Sequence, residues 1–171
     1  KEKILLNFIG PKDTGKSVTL NLLGSVFGDY GTAISADVLL EHKNSSGGPS
    51  PELHSLRLAK FIAASEPDGR KDFHGAAVKM ITGGDLIASR TLFQKTVSQW
   101  RMRGIVALAS NDIVKFDASD TALAQRLHPV TFNQVFLRPR EVLVERPGMK
   151  FVDVGLQDRI LQSDTERSAI F

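Results

Sequence analysis

The sequence predicts an α/β domain with a mostly parallel central sheet flanked by helices. Two observations carry this expectation. Short apolar runs alternate with amphipathic stretches along the 171 residues, and the first run leads directly into GPKDTGKS, Gly10 to Ser17, which opens an amphipathic stretch. The expected strands are residues 4–9, 58–65, 104–110 and 127–132. A helix is expected over 16–27, because Val18, Leu22 and Val26, with Leu23 and Phe27, recur at the spacing of one buried face, and Gly28 ends it. Residues 43–51, KNSSGGPSP, hold almost nothing that packs and read as a solvated loop. A second helix is expected over 71–81, with Phe73, Ala77, Met80 and Ile81 inward and Gly83 at its C-terminal cap.

After Gly84 the period changes. Leu86, Ala88 and Leu92, with polar residues between them, predict an inserted β-hairpin turning near residues 94–96. From Arg138 the rhythm breaks at Pro139 and Pro147, and Leu156, Ile160 and Leu161 then indicate the start of a further helix. The expected division is therefore a core over 1–137 and a C-terminal extension over 138–171. No internal repeat is present.

Composition sets outer bounds. A hydrophobic content of 42% supports one core of ordinary size. No apolar run approaches the roughly 20 residues that cross a bilayer, so no membrane partner is expected and the cytoplasm is the default compartment. The absence of cysteine excludes disulfides and thiolate metal sites. His42, His54, His74 and His128 lack ligand spacing, which leaves Mg²⁺ as the expected metal. Net charge is +3, with a pI near 9.3, a mild basicity that hints at a polyanionic partner. Lys1 stands where an initiator Met would, so the chain is expected to be part of a longer protein.

GPKDTGKS satisfies G-x-x-x-x-G-K-[ST] at every fixed position and lies between a strand and a helix, the context that gives the motif its meaning. Loop N–H groups and the positive end of the helix form a concave anion site, so Gly10, Pro11, Lys12, Asp13, Thr14, Gly15, Lys16, Ser17 and Val18 are the expected ATP-phosphate cradle. Lys16 would reach the β- and γ-phosphates, and the Ser17 hydroxyl would ligate Mg²⁺. The competing reading is a glycine-containing turn with a solvent-facing lysine.

Such a cradle needs a carboxylate at the end of a neighbouring strand. FIAASEPD supplies Glu66, expected to orient or deprotonate the attacking water and to help hold Mg²⁺; Asp68 is weaker because Pro67 bends the chain before it. GIVALASND places Asn111 at a third strand end, where it could contact the γ-phosphate or the water. Arg126 in DTALAQRL could act as an arginine finger, although the residues alone favour a solvated surface arginine. Between residues 79 and 103 five cations, Lys79, Arg90, Lys95, Arg101 and Arg103, face one carboxylate, Asp85. A hairpin presenting Lys95 would contact nucleic-acid phosphates, or the run could be a solvated face. Trp100 could stack on a base, but packing is the simpler reading.

GPKDTGKS, KFIAASEPD, VKMITGGDLIASR and VALASN followed by DTALAQRL, in this order, resemble the superfamily 3 helicases, specifically the phage, plasmid and poxvirus-type primase-helicases. The resemblance covers roughly residues 4–137, and KxITGGDxIxxR is its most specific part. It implies an AAA+ type P-loop ATPase that assembles as a ring, usually hexameric, and moves on single-stranded DNA with 3′-to-5′ polarity. It makes Lys16 and Ser17 the Walker A residues, Glu66 the Walker B acid, Asn111 the sensor and Arg126 the finger supplied in trans. Lys79, Asp85 and Arg90 match the helix-to-hairpin element, Lys95 falls in the hairpin that points into the channel, and Lys79, Arg90 and Lys95 are the DNA contacts this implies. It also implies a primase domain on the same full-length chain and a viral, phage, prophage or plasmid origin. Two departures stand out: no Pro follows Asn111 in SNDIVKFD, and Gln125 precedes Arg126 where many members have two arginines. Other classes that a phosphate cradle allows are a small-molecule kinase and a nucleotide-dependent assembly switch without turnover.

Overall fold

The computed structural model describes residues 2–39, 51–65, 72–89, 96–138, 150–163, 165 and 168. Five parallel strands make the central sheet: β1 (Leu5–Ile9), β2 (Gly31–Ser35), β3 (Phe61–Ser65), β6 (Ile105–Ser110) and β7 (Leu127–Thr131), in the order β2-β3-β6-β1-β7. Outside it, β4 (Leu86–Ser89) and β5 (Ser98–Arg101) form an antiparallel hairpin, and β8 (Phe136–Leu137) pairs in parallel with β9 (Lys150–Phe151). The helices are α1 (Lys16–Val26), α2 (Pro51–Ser55), α3 (Gly75–Gly83), α4 (Thr121–Ala124) and α5 (Leu156–Gln162).

The central strands are apolar on both faces, as parallel strands covered by helices must be. Alternation along each strand splits the core in two. Leu5, Ile62, Ala64, Val106 and Leu108 face one side, where they meet Val78 and Ile81 of α3, Leu123 of α4 and the hairpin residues Ile87 and Trp100. Phe8, Phe61, Ala107 and Ala109 face the other and pack against Leu20, Leu23 and Phe27. Helix α1 thus seats its Leu20, Leu23 and Phe27 edge on the sheet, with Leu20 the residue buried most deeply. Val18, Leu22 and Val26, which the spacing also placed inward, are only half-buried.

Each expected strand is present, with small shifts at the ends. Residues 56–58 form a single 3-10 turn, so β3 starts at Phe61. Strand β2 was not anticipated. GTAIS is short and only half-buried on the sheet's rim, and carries little apolar pattern to announce it. Helix α3 runs to Gly83 and is closed by Gly84 at φ 77°. Its buried residues are Val78, Ile81 and Thr82; Ala77 and Met80 are half-buried.

The hairpin exists, and its buried face is the one opposite Leu86 and Ala88. Ile87 and Ser89 are buried, whereas Leu86 is 52% exposed. The reason is cross-strand. Ile87 sits directly opposite Trp100, which is buried and donates its indole N–H to Ser89 Oγ at 2.8 Å. Trp100 is therefore packing material with a satisfied polar handle. The expected turn near 94–96 and the solvated loop over 43–51 lie wholly or largely outside the described residues. No described helix is long and apolar enough to cross a membrane.

This register is open to a direct test. Ile87→Ala should cost about 2–5 kcal/mol in urea unfolding, the range for emptying a packed aliphatic site, and Leu86→Ala within about 0.5 kcal/mol of zero. Equal losses would mean that the hairpin face is assigned the wrong way round.

Candidate functional site

Strand β1 lies between β6 and β7, pairing Ile9 with Ser110 on one side and Thr131 on the other. The chain must leave the sheet at this point, and it leaves under a tight steric limit. A Cβ on Gly10 would stand 2.2 Å from the Phe132 carbonyl oxygen, so no larger residue fits there. Phe132 N–H closes the approach by donating to Ile9 O at 2.7 Å. Thr14 Oγ1 then ties the loop to Pro11 O at 2.9 Å. Asp13 at φ 60° and Gly15 at φ 86° flank Thr14 in the left-handed region. Left-handed residues placed this way turn successive N–H groups toward one concavity, which suits an anion. Gly15 is also the N-cap of α1 and offers no capping side chain, which leaves the first N–H groups of the helix free to serve that concavity.

Lys16, the first residue of α1, is only 8% exposed. Its ammonium donates to Gly10 O and Pro11 O, each at 2.6 Å, and lies 3.4 Å from Asn111 Oδ1. Burial lowers the Lys16 pKa from its ordinary value, and the nearby Asp13 carboxylate opposes that shift. The competing reading of a solvent-facing lysine is thus at odds with the structure. Asn111 reaches Lys16 because β6 is the direct neighbour of β1, although 95 residues separate the two. Just below, Ser110 Oγ donates to the buried Asn7 Oδ1 at 2.9 Å and ties the end of β6 to the middle of β1.

A cavity of about 1230 Å³ opens from this loop. Residues 12–18 form one wall, with the exposed Ser17 among them, and 109–115 form another. The rest comes from Phe136, Arg138, residues 151–154, Leu156 and Gln157. This third wall was not anticipated as part of the site. Its elements are held by the β8–β9 pairing, by Phe136 N–H donating to Asp13 O at 2.8 Å, and by an Arg159–Asp153 ion pair at the start of α5. Only the apolar spacing at Leu156, Ile160 and Leu161 signalled it in the sequence, and that spacing marks a helix without saying where the helix docks.

The structure brings Lys16, Ser17 and Asn111 together with the whole 10–18 loop, and leaves Arg126 elsewhere. Arg126 precedes β7, and its carbonyl accepts from Leu5 N–H at 2.7 Å, at the amino end of β1. It is therefore a full strand length, roughly 15 Å, from the loop. Its Nη1 donates to Ala122 O, and its Nε is buried with no hydrogen-bond partner. Glu66, Asp68, Arg90 and Lys95 lie outside the described residues.

Lys79 projects from α3 and donates to Asp120 Oδ2 at 2.7 Å. The other carboxylate oxygen, Asp120 Oδ1, accepts from Leu123 N–H at 3.0 Å and caps α4. Aspartate followed by a short apolar-periodic stretch is an N-cap pattern that was legible in DTALA and went unread. The Lys79 hydrogen bond, then the Leu123 N–H, hold the Asp120 pKa below the ordinary carboxylate range.

Fold and site together define a parallel α/β domain that presents a lysine-bearing loop at the carboxyl edge of its sheet. Among curated proteins the chain is 26% identical to one from Acanthamoeba polyphaga mimivirus whose name is "Putative helicase", covering 77% of this chain and 14% of that one. A second protein with that name, from Frog virus 3, is 25% identical over 81% of this chain and 14% of its own length. The uncoating factor of Vaccinia virus is 30% identical over 90% of this chain and 20% of its own length. The chain therefore spans about one seventh to one fifth of the length of these relatives. No protein-family model matches. Among solved structures, the apo C-terminal region of NrS-1 superposes with a TM-score of 0.58 at 16% identity, covering 99% of this chain and 35% of that one, and shares the fold. The chain is thus related to proteins of large DNA viruses that carry helicase names.

Asp120 makes a pH prediction. A carboxylate whose pKa is lowered on folding contributes stability that is full above its unfolded value, about 3.9, and fades as pH falls through the lower folded value. Asp120→Ala should lower the melting temperature by a few degrees at pH 7, with the gap to the unaltered chain narrowing as pH falls below the unfolded value of about 3.9. A gap that is constant across this range would remove the ionised Lys79–Asp120 pair from the account.

Proposed function

We propose that this chain is the ATP-hydrolysing motor core of a DNA helicase serving viral, phage or plasmid replication, of the superfamily 3, AAA+ type. The observation that carries the reading is the buried Lys16 ammonium on the 10–18 loop, 3.4 Å from the Asn111 amide oxygen supplied by the neighbouring strand. A cation and a polar side chain at one strand edge can respond together to a γ-phosphate. The residues fit ATP: the loop lacks side chains where it turns at Gly10 and Gly15, and the adjoining cavity exceeds the usual volume of a small-molecule site, roughly 300–1,000 Å³. Residues 10–18 would hold the phosphates, Lys16 would offset their charge, and Ser17 with Glu66 would hold Mg²⁺. Held there, Mg²⁺ would supply positive charge against the charge developing on the phosphates.

The placement of Arg126 supports assembly. An arginine at the amino end of β7 cannot serve the loop of its own chain, so a finger role for it requires a neighbouring protomer in a ring. Homologous names and fold favour single-stranded DNA as the track over a small-molecule acceptor, with the hairpin residues Arg90 and Lys95 as contacts. Lys79, the third expected contact, has its ammonium held by Asp120.

Two experiments test this reading. ATP turnover should rise on adding single-stranded DNA and fall at least a hundredfold in Lys16→Ala, by analogy with loss of one preorganised transition-state contact, about 10²–10³; stimulation by a small phosphate acceptor instead would indicate a kinase. Separately, Lys16→Ala and Arg126→Ala chains, each inactive alone, should regain partial activity when mixed. The mixed interface pairs an intact loop with an intact finger. No recovery in a confirmed mixed oligomer would remove Arg126 from the trans role.

A further inference from the structure

The opposite end of the sheet holds a second cavity, of about 470 Å³, lined by Tyr30, Arg57, Leu58, Ala59, Lys60, Trp100, Arg101 and Arg103. Three backbone contacts assemble it. Lys60 N–H donates to Tyr30 O at 2.8 Å, and Ile105 N–H donates to Lys60 O at 2.8 Å. Gly104 runs so close to Ala59 that a Cβ there would stand 2.8 Å from the Ala59 oxygen. The approaches to β3 and β6 are therefore pressed together, and the residues just before each strand are forced to share one mouth. Those residues are cationic. Arg57 and Lys60 come from the β3 side, Arg101 and Arg103 from the foot of the hairpin, and all four are exposed.

Among the described residues no carboxylate lines this cavity, and none forms an ion pair with any of the four cations. Arg101 is oriented by donating to Gly84 O at 2.9 Å. Four like charges around one depression repel one another and contribute nothing to the core, a cost that a bound polyanion would offset. Tyr30, 53% exposed, adds an aromatic face beside them. Cations that track a backbone, together with a ring on which any base can stack, are the working parts of sequence-independent single-strand binding. The cavity is a strand length, roughly 15 Å, from the 10–18 loop, so it is not part of the ATP site.

We propose that this basic mouth is a binding site for the sugar-phosphate backbone of single-stranded nucleic acid, with Arg57, Lys60, Arg101 and Arg103 on phosphates and Tyr30 stacked on a base. The choice of nucleic acid over an acidic protein segment rests on the function proposed above; the site itself rests on the geometry. Strand threading past the hairpin would be gripped at the hairpin's foot, by residues anchored to β3 and β6, as well as at its tip.

The test is equilibrium binding of a fluorescent thymidine homopolymer at several salt concentrations without nucleotide, with melting temperature as the control for folding. Each phosphate contact adds about 0.7 to the slope of log affinity against log salt for a single strand. Arg57→Gln with Lys60→Gln should therefore lower the slope by about 1.4, and Tyr30→Ala should weaken binding about 5- to 100-fold with little change in slope. Lys150→Gln, at the other end of the sheet, should leave the slope unchanged. Unaltered slope and affinity in the Arg57/Lys60 variant, while the unaltered chain binds DNA, would overturn this site and spare the helicase reading. Failure of the unaltered chain to bind any single strand would overturn both. Loss of polyglutamate binding in the variant with DNA binding intact would assign the mouth to an acidic protein segment instead.

Discussion

Strand β1 is hydrogen-bonded along both edges, to β6 and to β7, and the rest of the molecule follows from that confinement. A strand paired on both sides and covered on both faces can release its chain only at its carboxyl end. It does so at Gly10, where the Phe132 carbonyl leaves no room for a side chain. The loop is thus delivered to the edge where β3 and β6 also end. Because β6, and not β3, adjoins β1, the side chain that a neighbouring strand brings to the loop lysine is Asn111, and the end of β3 stands one strand further out.

The molecule carries cationic chemistry at both ends of its sheet, in different forms. At the carboxyl edge there is one deeply placed ammonium, held by loop carbonyls and partly deprived of water, where burial makes its charge most responsive to an anion. At the amino edge there are several exposed cations on pressed-together strand approaches, a broad and salt-sensitive field. Helix α3 and its hairpin lie between the two. Through Lys79 and Asp120 that helix is tied to α4 and so to the approach of Arg126.

Much of this was legible in the order of residues, for identifiable reasons. Buried parallel strands must be apolar throughout, so FIAAS and IVALAS declare themselves. The loop declares itself because its glycines and lysine answer to backbone geometry at their own positions. Edge strand β2 did not, since a half-covered rim strand needs no apolar pattern. The hairpin's inward face was not legible because in LIAS both alternations contain an apolar residue; only the opposing Trp100 decides that Ile87 goes in and Leu86 stays out.

The sequence by itself determined the strand and helix periodicities, the loop and its lysine, and the capping chemistry at Asp120, because each depends on residues within a few positions of one another. Tertiary structure alone decided the strand order, and with it the meeting of Lys16 with Asn111 and the wide separation of Arg126 from both. It also decided that residues 151–154, Leu156 and Gln157 wall the cavity and that Arg57, Lys60, Arg101 and Arg103 share a mouth. Those juxtapositions span tens of residues and are fixed by which strand lies beside which, a choice made by packing the whole sheet that no local run of residues records.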